Sequence, residues 1–127
     1  MKRDHETTVQ ELKELVAKFR DERGWKREHS PKNLSMSIAI EAAELMEHFQ
    51  WDTYNKEDKQ AIADELADIL SYCLNLADTL DIDVATTFRD KLDRAAKKYP
   101  LELFNPDRTG SPEEYQEIKK AYRGGKS

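Results

Sequence analysis

Leu34-Ser35-Met36-Ser37-Ile38-Ala39-Ile40-Glu41-Ala42-Ala43-Glu44-Leu45-Met46 decides how the chain reads. Across these positions Glu41 and Glu44 are the only charged residues, and no glycine or proline interrupts them. A run this long, unbroken and without strand-like alternation, predicts a helix. Because it is apolar nearly all round, it is expected to be buried nearly all round. The two acids stand three residues apart, so they share a face one turn apart. Downstream the arrangement repeats: Glu65 and Asp68 are flanked by Ile62, Ala63, Leu66, Ala67, Ile69 and Leu70.

Burying even one unpaired carboxylate costs on the order of several kcal/mol, and four together add mutual repulsion. Protonation can neutralise one or two acids, but four would need several strongly raised pKa values at once. Arginine or lysine partners are the usual structural answer, yet neither apolar stretch contains a cation. Divalent cations are the third answer, and a hard, oxygen-only ligand set suits Mg²⁺ or Mn²⁺ rather than zinc or iron. The metal reading stands beside that of an ion-pair network with basic residues from elsewhere. A di-iron bundle fits less well, since its helices carry Glu-x-x-His pairs and no histidine follows Glu41 or Glu44 at that spacing. His48 lies four residues after Glu44, within reach of the acids by spacing, and is read in preference as a helix-end residue beside Trp51.

Working outward, Ser30-Pro31 reads as the cap and first turn of the acidic helix, which reaches about Phe49. Before it, Val9, Leu12, Val16 and Phe19 form one face of an earlier helix, opened by a Thr8-x-x-Glu11 capping box and ended by Gly24. Trp25 to Ser30 is the connecting loop, and Trp51 to Asn55 is the next break. A third helix is expected from about Lys56 to Leu80. Asp81-Ile82-Asp83 then turns the chain, with Asp83 as cap of a fourth helix that ends near Tyr99-Pro100 and buries Val84, Phe88, Leu92, Ala95 and Tyr99. After Pro106 the composition becomes polar and turn-rich, and a short helix between Ser111-Pro112 and Gly124-Gly125 is expected in a tail or arm. The expected fold is all-α, four-helix-bundle-like, with residues 1–104 as the helical domain and 105–127 as the tail.

Composition narrows the function. The 127 residues fit one domain; 37% are charged and 38% apolar, so outer helix faces are well solvated. A net charge of −5, without a basic face interleaved with aromatics, argues against nucleic-acid binding. The single cysteine, Cys73, lies in the apolar stretch Ser71-Tyr72-Cys73-Leu74 and reads as a packed thiol. A lone cysteine excludes an intramolecular disulfide, and no eighteen-residue apolar run or secretory leader is evident. The expectation is a cytoplasmic protein that engages no membrane.

The pair Glu41-x-x-Glu44 followed by Glu65-x-x-Asp68, with twenty residues between Glu44 and Glu65, resembles the metal-binding pattern of the MazG-like all-α nucleoside triphosphate pyrophosphohydrolases. The segments Phe19 to Trp25, His29 to Leu34, Glu41 to Trp51 and Glu65 to Tyr72 resemble the dCTP pyrophosphatase branch, and Lys91-Leu92 and Lys98-Tyr99-Pro100 continue the likeness. The resemblance covers roughly residues 8 to 104. It implies hydrolysis of a nucleoside triphosphate, dCTP or a modified dCTP, to monophosphate and pyrophosphate. It also implies a homodimer or dimer of dimers in which neighbouring subunits complete each site. By position, it assigns Mg²⁺ to Glu41, Glu44, Glu65 and Asp68, enclosure of the base to Trp25, His29 and Trp51, and a substrate contact to Tyr72. One departure is Ala95, where many relatives carry asparagine four residues after the lysine.

The residues themselves leave several of these roles open. Trp25 and Trp51 flank the acidic helix, where they can sandwich a flat base or lid a core. Lys26 and Arg27 are phosphate ligands or solvated loop charges. Lys91 and Lys98, seven apart on one helical face, either bind the leaving pyrophosphate or belong to a basic stripe. No serine, cysteine or histidine constellation points to a covalent intermediate, so direct attack by water is expected, with Glu44 or Glu41 as its base. The alternative from another class is a non-catalytic oligomerisation or partner-binding module whose acids meet basic residues of another subunit.

Overall fold

A computed structural model describes residues 2–51, 55–107 and 112–125 of the chain. Five α-helices follow one another there: α1 Val9–Glu22, α2 Pro31–Glu47, α3 Lys59–Thr79, α4 Val84–Lys98 and α5 Pro112–Gly125. Among the described residues there is no β-strand element, so the all-α expectation holds. None of these helices is long and apolar enough to cross a membrane.

The helix ends follow the local chemistry. The Thr8 hydroxyl accepts the Glu11 N–H at 3.1 Å, and the Ser30 hydroxyl accepts the Asn33 N–H at 3.2 Å, with Pro31 at the first position of α2. Gly24 stops α1 with φ +66°, a left-handed conformation that costs a side chain strain. His48 caps α2 and the chain leaves it in tight turns, so the helix ends two residues before the expected Phe49. Similarly, Lys56–Asp58 forms a 3₁₀ turn rather than the first turn of α3, because the Asn55 side chain accepts the Glu57 N–H. Asp81 takes φ +53° in the turn after α3, a conformation the sequence offered no glycine to announce. Trp51 and Asn55 bracket the expected break, whose middle, 52–54, lies outside the described residues; so does Ser111, the expected opener of α5.

By contacts the chain forms two compact units, Met1–Val84 and Ala85–Ser127. This division differs from the compositional boundary at 104/105. In the first unit α3 is central: α2 packs along it, and α1 packs on it as well. The Lys13 ammonium donates to the Ile82 carbonyl at 2.9 Å, tying α1 to the turn that follows α3. In the second unit Tyr99 stacks on Tyr115 with ring centroids 5.3 Å apart and meets Phe104 edge-on at 5.4 Å, so the segment after α4 and α5 gather around one aromatic ring.

Two expectations about burial need correction. Leu34 and Ala77 are the only apolar residues among those described that are fully buried, at 1% and 7% exposure. Met36, Ile40 and Met46 of α2 and Leu66 and Leu70 of α3 are exposed, so α2 is covered on one side rather than all round. On α4, Phe88 and Leu92, expected in the core, are 64% and 56% exposed; Val84, Ala95 and Tyr99 are half-buried. The physical reason is that periodicity reports which face a helix must cover, and one chain of this length does not supply all of the covering.

Candidate functional site

The site begins where α2 and α3 lie together. Glu41 and Glu44 project from α2 and Glu65 from α3, and each offers a carboxylate oxygen lying within 4.8 Å of the other two. Glu41 Oε2 and Glu65 Oε2 are buried and have no hydrogen-bond partner. Burial raises the Glu41 pKa; the adjoining Glu44 and Glu65 carboxyls, with the Glu44 and Asp68 charges, raise it further, to about 7. No arginine or lysine forms an ion pair with these acids among the described residues, which disfavours the ion-pair reading within this chain.

The arrangement fits a hard divalent cation. Two oxygens on opposite sides of one Mg²⁺, each about 2.1 Å away, stand about 4.2 Å apart. Oxygens already within 4.8 Å need only small side-chain adjustments to share an ion. Orphaned buried oxygens are what such an ion would satisfy, and the donor set is entirely oxygen. Of the four predicted ligands, the structure gathers three; Asp68 is exposed at the edge, near enough for its charge to raise Glu41. His48 is outside this cluster and serves as the cap of α2.

Asp68 also lines a neighbouring cleft of about 370 Å³. Leu15 and Phe19 of α1 give it an apolar wall, Trp25 and His29 close it from the loop, and Tyr72 and Asn75 of α3 complete it. Trp25 meets Phe19 edge-on with centroids 5.8 Å apart, and the His29 ring lies between Trp25 at 6.0 Å and Tyr72 at 6.3 Å. Positions 65, 68, 72 and 75 recur at three and four residues, so one face of α3 runs from the acids to the far end of the cleft, about 15 Å by helical rise. Acidic cluster and aromatic cleft are therefore adjoining parts of one groove.

Sequence reasoning passed over the groove's most buried polar residues. Arg20 and Asn75 are 4% and 2% exposed. Arg20 Nη1 donates to Asn75 Oδ1 at 2.8 Å and to Asp78 Oδ2 at 3.2 Å, and its Nε donates to Asp21 at 2.8 Å. The bond to Asp21, chiefly, raises the Arg20 pKa against the opposing cost of burial, and Arg20 in turn lowers that of Asp21. A lone amide at 75, three residues past Tyr72 in an otherwise apolar turn, was the available signal.

Other predicted residues lie elsewhere. Trp51 is 79% exposed and does not line the cleft. Lys26 and Arg27 line a second recess of about 390 Å³ with His29, Ser30 and Asp78. Lys91 and Lys98 belong to the second unit, where Lys98 Nζ sits 4.8 Å from the Tyr122 ring and 5.3 Å from that of Tyr99. Cys73 is half-buried with its thiol pKa raised by burial, consistent with a packed group.

Residues 36–109 match the model of the MazG-like family, a stretch longer than half the chain. The chain belongs to that family. Among MazG-like relatives, human dCTP pyrophosphatase 1 is 32% identical over 106 residues, covering 77% of this chain and 62% of the human one. Its mouse counterpart is 33% identical over the same share. The chain thus spans a little under two thirds of these relatives' length. Among solved structures, a pyrophosphatase from Archaeoglobus fulgidus superposes with a TM-score of 0.67 at 37% identity, over 79% of this chain and 99% of that one. The segment carrying Glu41, Glu44, Glu65 and Asp68 falls wholly within the family match.

Proposed function

We propose that this MazG-like chain is a nucleoside triphosphate pyrophosphohydrolase acting on dCTP or a modified deoxycytidine triphosphate, releasing monophosphate and pyrophosphate with Mg²⁺ as cofactor. The observation that carries the reading is the pair of buried, unpartnered oxygens on Glu41 and Glu65, in a three-carboxylate cluster that opens onto an aromatic cleft through Asp68. A fold-family likeness alone would leave the reaction open. The named relatives, dCTP pyrophosphatases and a pyrophosphatase, give that chemistry a precedent on this scaffold.

Glu41, Glu44 and Glu65 would hold the ion, with Asp68 completing the set from the cleft side. When bound, a divalent cation supplies Lewis acidity that activates water for attack and offsets charge on the phosphate. A carboxylate oxygen of Glu44 or Glu41 accepts the proton of the attacking water. Trp25, His29 and Tyr72 hold the base in the cleft with its face against aromatic rings, which directs the phosphates along α3 toward the acids. Lys91 steadies the departing pyrophosphate, with lesser help from Lys98; Lys26 and Arg27 meet phosphate oxygens, and Trp51 belongs with the residues that enclose the base. The Ala95 substitution bears on which base is preferred. The exposed apolar residues of α2, α3 and α4 support assembly as a homodimer or dimer of dimers, in which a second copy covers them. The proposed setting is the cytoplasm, where nucleotide pools are cleared of surplus or non-standard members.

The test is a pyrophosphate-release screen of the full chain over common and modified nucleoside triphosphates, with and without Mg²⁺. Release that requires Mg²⁺ and favours deoxycytidine triphosphates is the expected result. A protein that releases no pyrophosphate from any of them, yet stays folded and oligomeric, is instead the non-catalytic module.

A further inference from the structure

Arg20, Asn75 and His29 form a chain of hydrogen bonds whose direction is forced by chemistry. A guanidinium has only donors, so the atom of Asn75 that faces Arg20 Nη1 at 2.8 Å must be its oxygen. The other end of the amide, Nδ2, then faces His29 Nδ1, also at 2.8 Å. An NH₂ group can only donate, so Nδ1 must present a lone pair. In the neutral ring the proton therefore resides on Nε2. Amide and imidazole orientations are ordinarily open choices; here an arginine at the head of the chain removes both.

Arg20 is itself held in place. It is 4% exposed, and Asp21 and Asp78 accept from its Nε and Nη1, so it cannot swing away from Asn75 without leaving the buried amide oxygen unpaired. Asn75, at 2% exposure, has no solvent route by which to turn over. His29, by contrast, is half-buried at the mouth of the cleft between Trp25 and Tyr72, and its Nε2 donates to no described residue. The side chains holding the tautomer belong to α1 and α3, the two packed helices, rather than to the loop that carries His29.

We infer that Arg20 and Asn75 are positioning residues that lock His29 as the Nε2–H tautomer, so that the cleft offers its occupant a fixed hydrogen-bond donor. The preferred occupant then carries an acceptor on the edge that meets His29, such as the ring nitrogen or carbonyl of a cytosine-type base. A base with only an N–H at that edge would meet donor against donor, and discrimination of this kind exceeds what apolar packing gives. This specificity claim rests on the nucleotide hydrolase reading above. The locking of the tautomer does not.

The experiment separates the two. Two-bond ¹H–¹⁵N correlation spectra of the full chain, with the His29 signals assigned by their loss in His29→Gln, report which ring nitrogen carries the proton without any nucleotide. The expected result is Nε2–H in the wild type. In Asn75→Asp the carboxylate has only acceptors, so the proton should move to Nδ1; in Arg20→Met the amide is free to turn, and the tautomers should mix. Steady-state kinetics with dCTP should then show KM raised about tenfold or more in Asn75→Asp, with kcat altered less than about threefold. A wild-type ring protonated on Nδ1, or a mixture of tautomers, overturns the lock even if the enzyme is active. A locked ring whose reversal leaves KM unchanged overturns the specificity role. An intact lock in a chain that hydrolyses nothing removes the hydrolase reading while leaving the hydrogen-bond chain standing.

Discussion

Glu41 carries the strain of the carboxylate cluster: burial and three acidic neighbours push it from 4.5 to about 7. A carboxyl whose pKa is raised by folding favours the protonated folded state. The stability this contributes is complete below about 4.5 and is lost as pH rises through about 7. The metal-free protein should therefore lose thermal stability between pH 5 and pH 8. Glu41→Gln, which cannot ionise, should flatten that loss, and saturating Mg²⁺ should reverse it in the wild type but not in the variant. Melting curves across this range check the sign; a wild-type midpoint that climbs with pH contradicts it. For turnover, Glu44→Gln and Glu65→Gln should each lower kcat by about a hundredfold or more, the size of effect expected when one preorganised charge-stabilising group is removed. Near-wild-type turnover with saturating Mg²⁺ in either variant would remove these residues from the site.

At the scale of elements, caps and stops that sequence alone identified set the α1–α2 connection that holds Trp25 and His29. Replacing Ser30 by alanine deletes the acceptor for the Asn33 N–H and should cost about 1 kcal/mol. Gly24→Ala meets nothing within 4 Å, so its cost is conformational alone, about 1 kcal/mol for a side chain at φ +66°. Denaturant midpoints measure both. These features were legible because each depends on a few adjacent residues. The acid spacing was legible for the same reason: periodicity paired Glu41 with Glu44 and Glu65 with Asp68, each pair on one helical face, whereas joining the two pairs rested on the need to neutralise them and on the family resemblance. What escaped was long-range. Arg20 and Asn75 are 55 residues apart, and nothing local marks them as partners. The exposure of Trp51 and the left-handed turn at Asp81 likewise depend on how the chain closes on itself. Phe88 and Leu92 show the converse, a correct apolar face without its expected burial.

At the scale of the whole molecule, few of the described apolar side chains are fully buried and many large ones face outward, including Met36, Ile40, Leu66 and Leu70 on the helices that carry the acids. An isolated chain with this surface would be marginal and prone to associate. Light scattering should accordingly find a multiple of the monomer mass. Leu70→Lys, which places a charge on the open face of α3, should shift the population toward monomer and lower the melting temperature. A wild type that is monomeric at all concentrations would contradict the assembly.

On the proposed function, carboxylates projecting from two apolar helices are tolerated because a divalent cation belongs among them. Calorimetric titration of the metal-free full chain with MgCl₂ at pH 8 tests this most directly. Saturable binding to the wild type, abolished in Glu65→Gln, is predicted. A flat titration of folded wild-type protein, or binding that Glu65→Gln leaves intact, would contradict it.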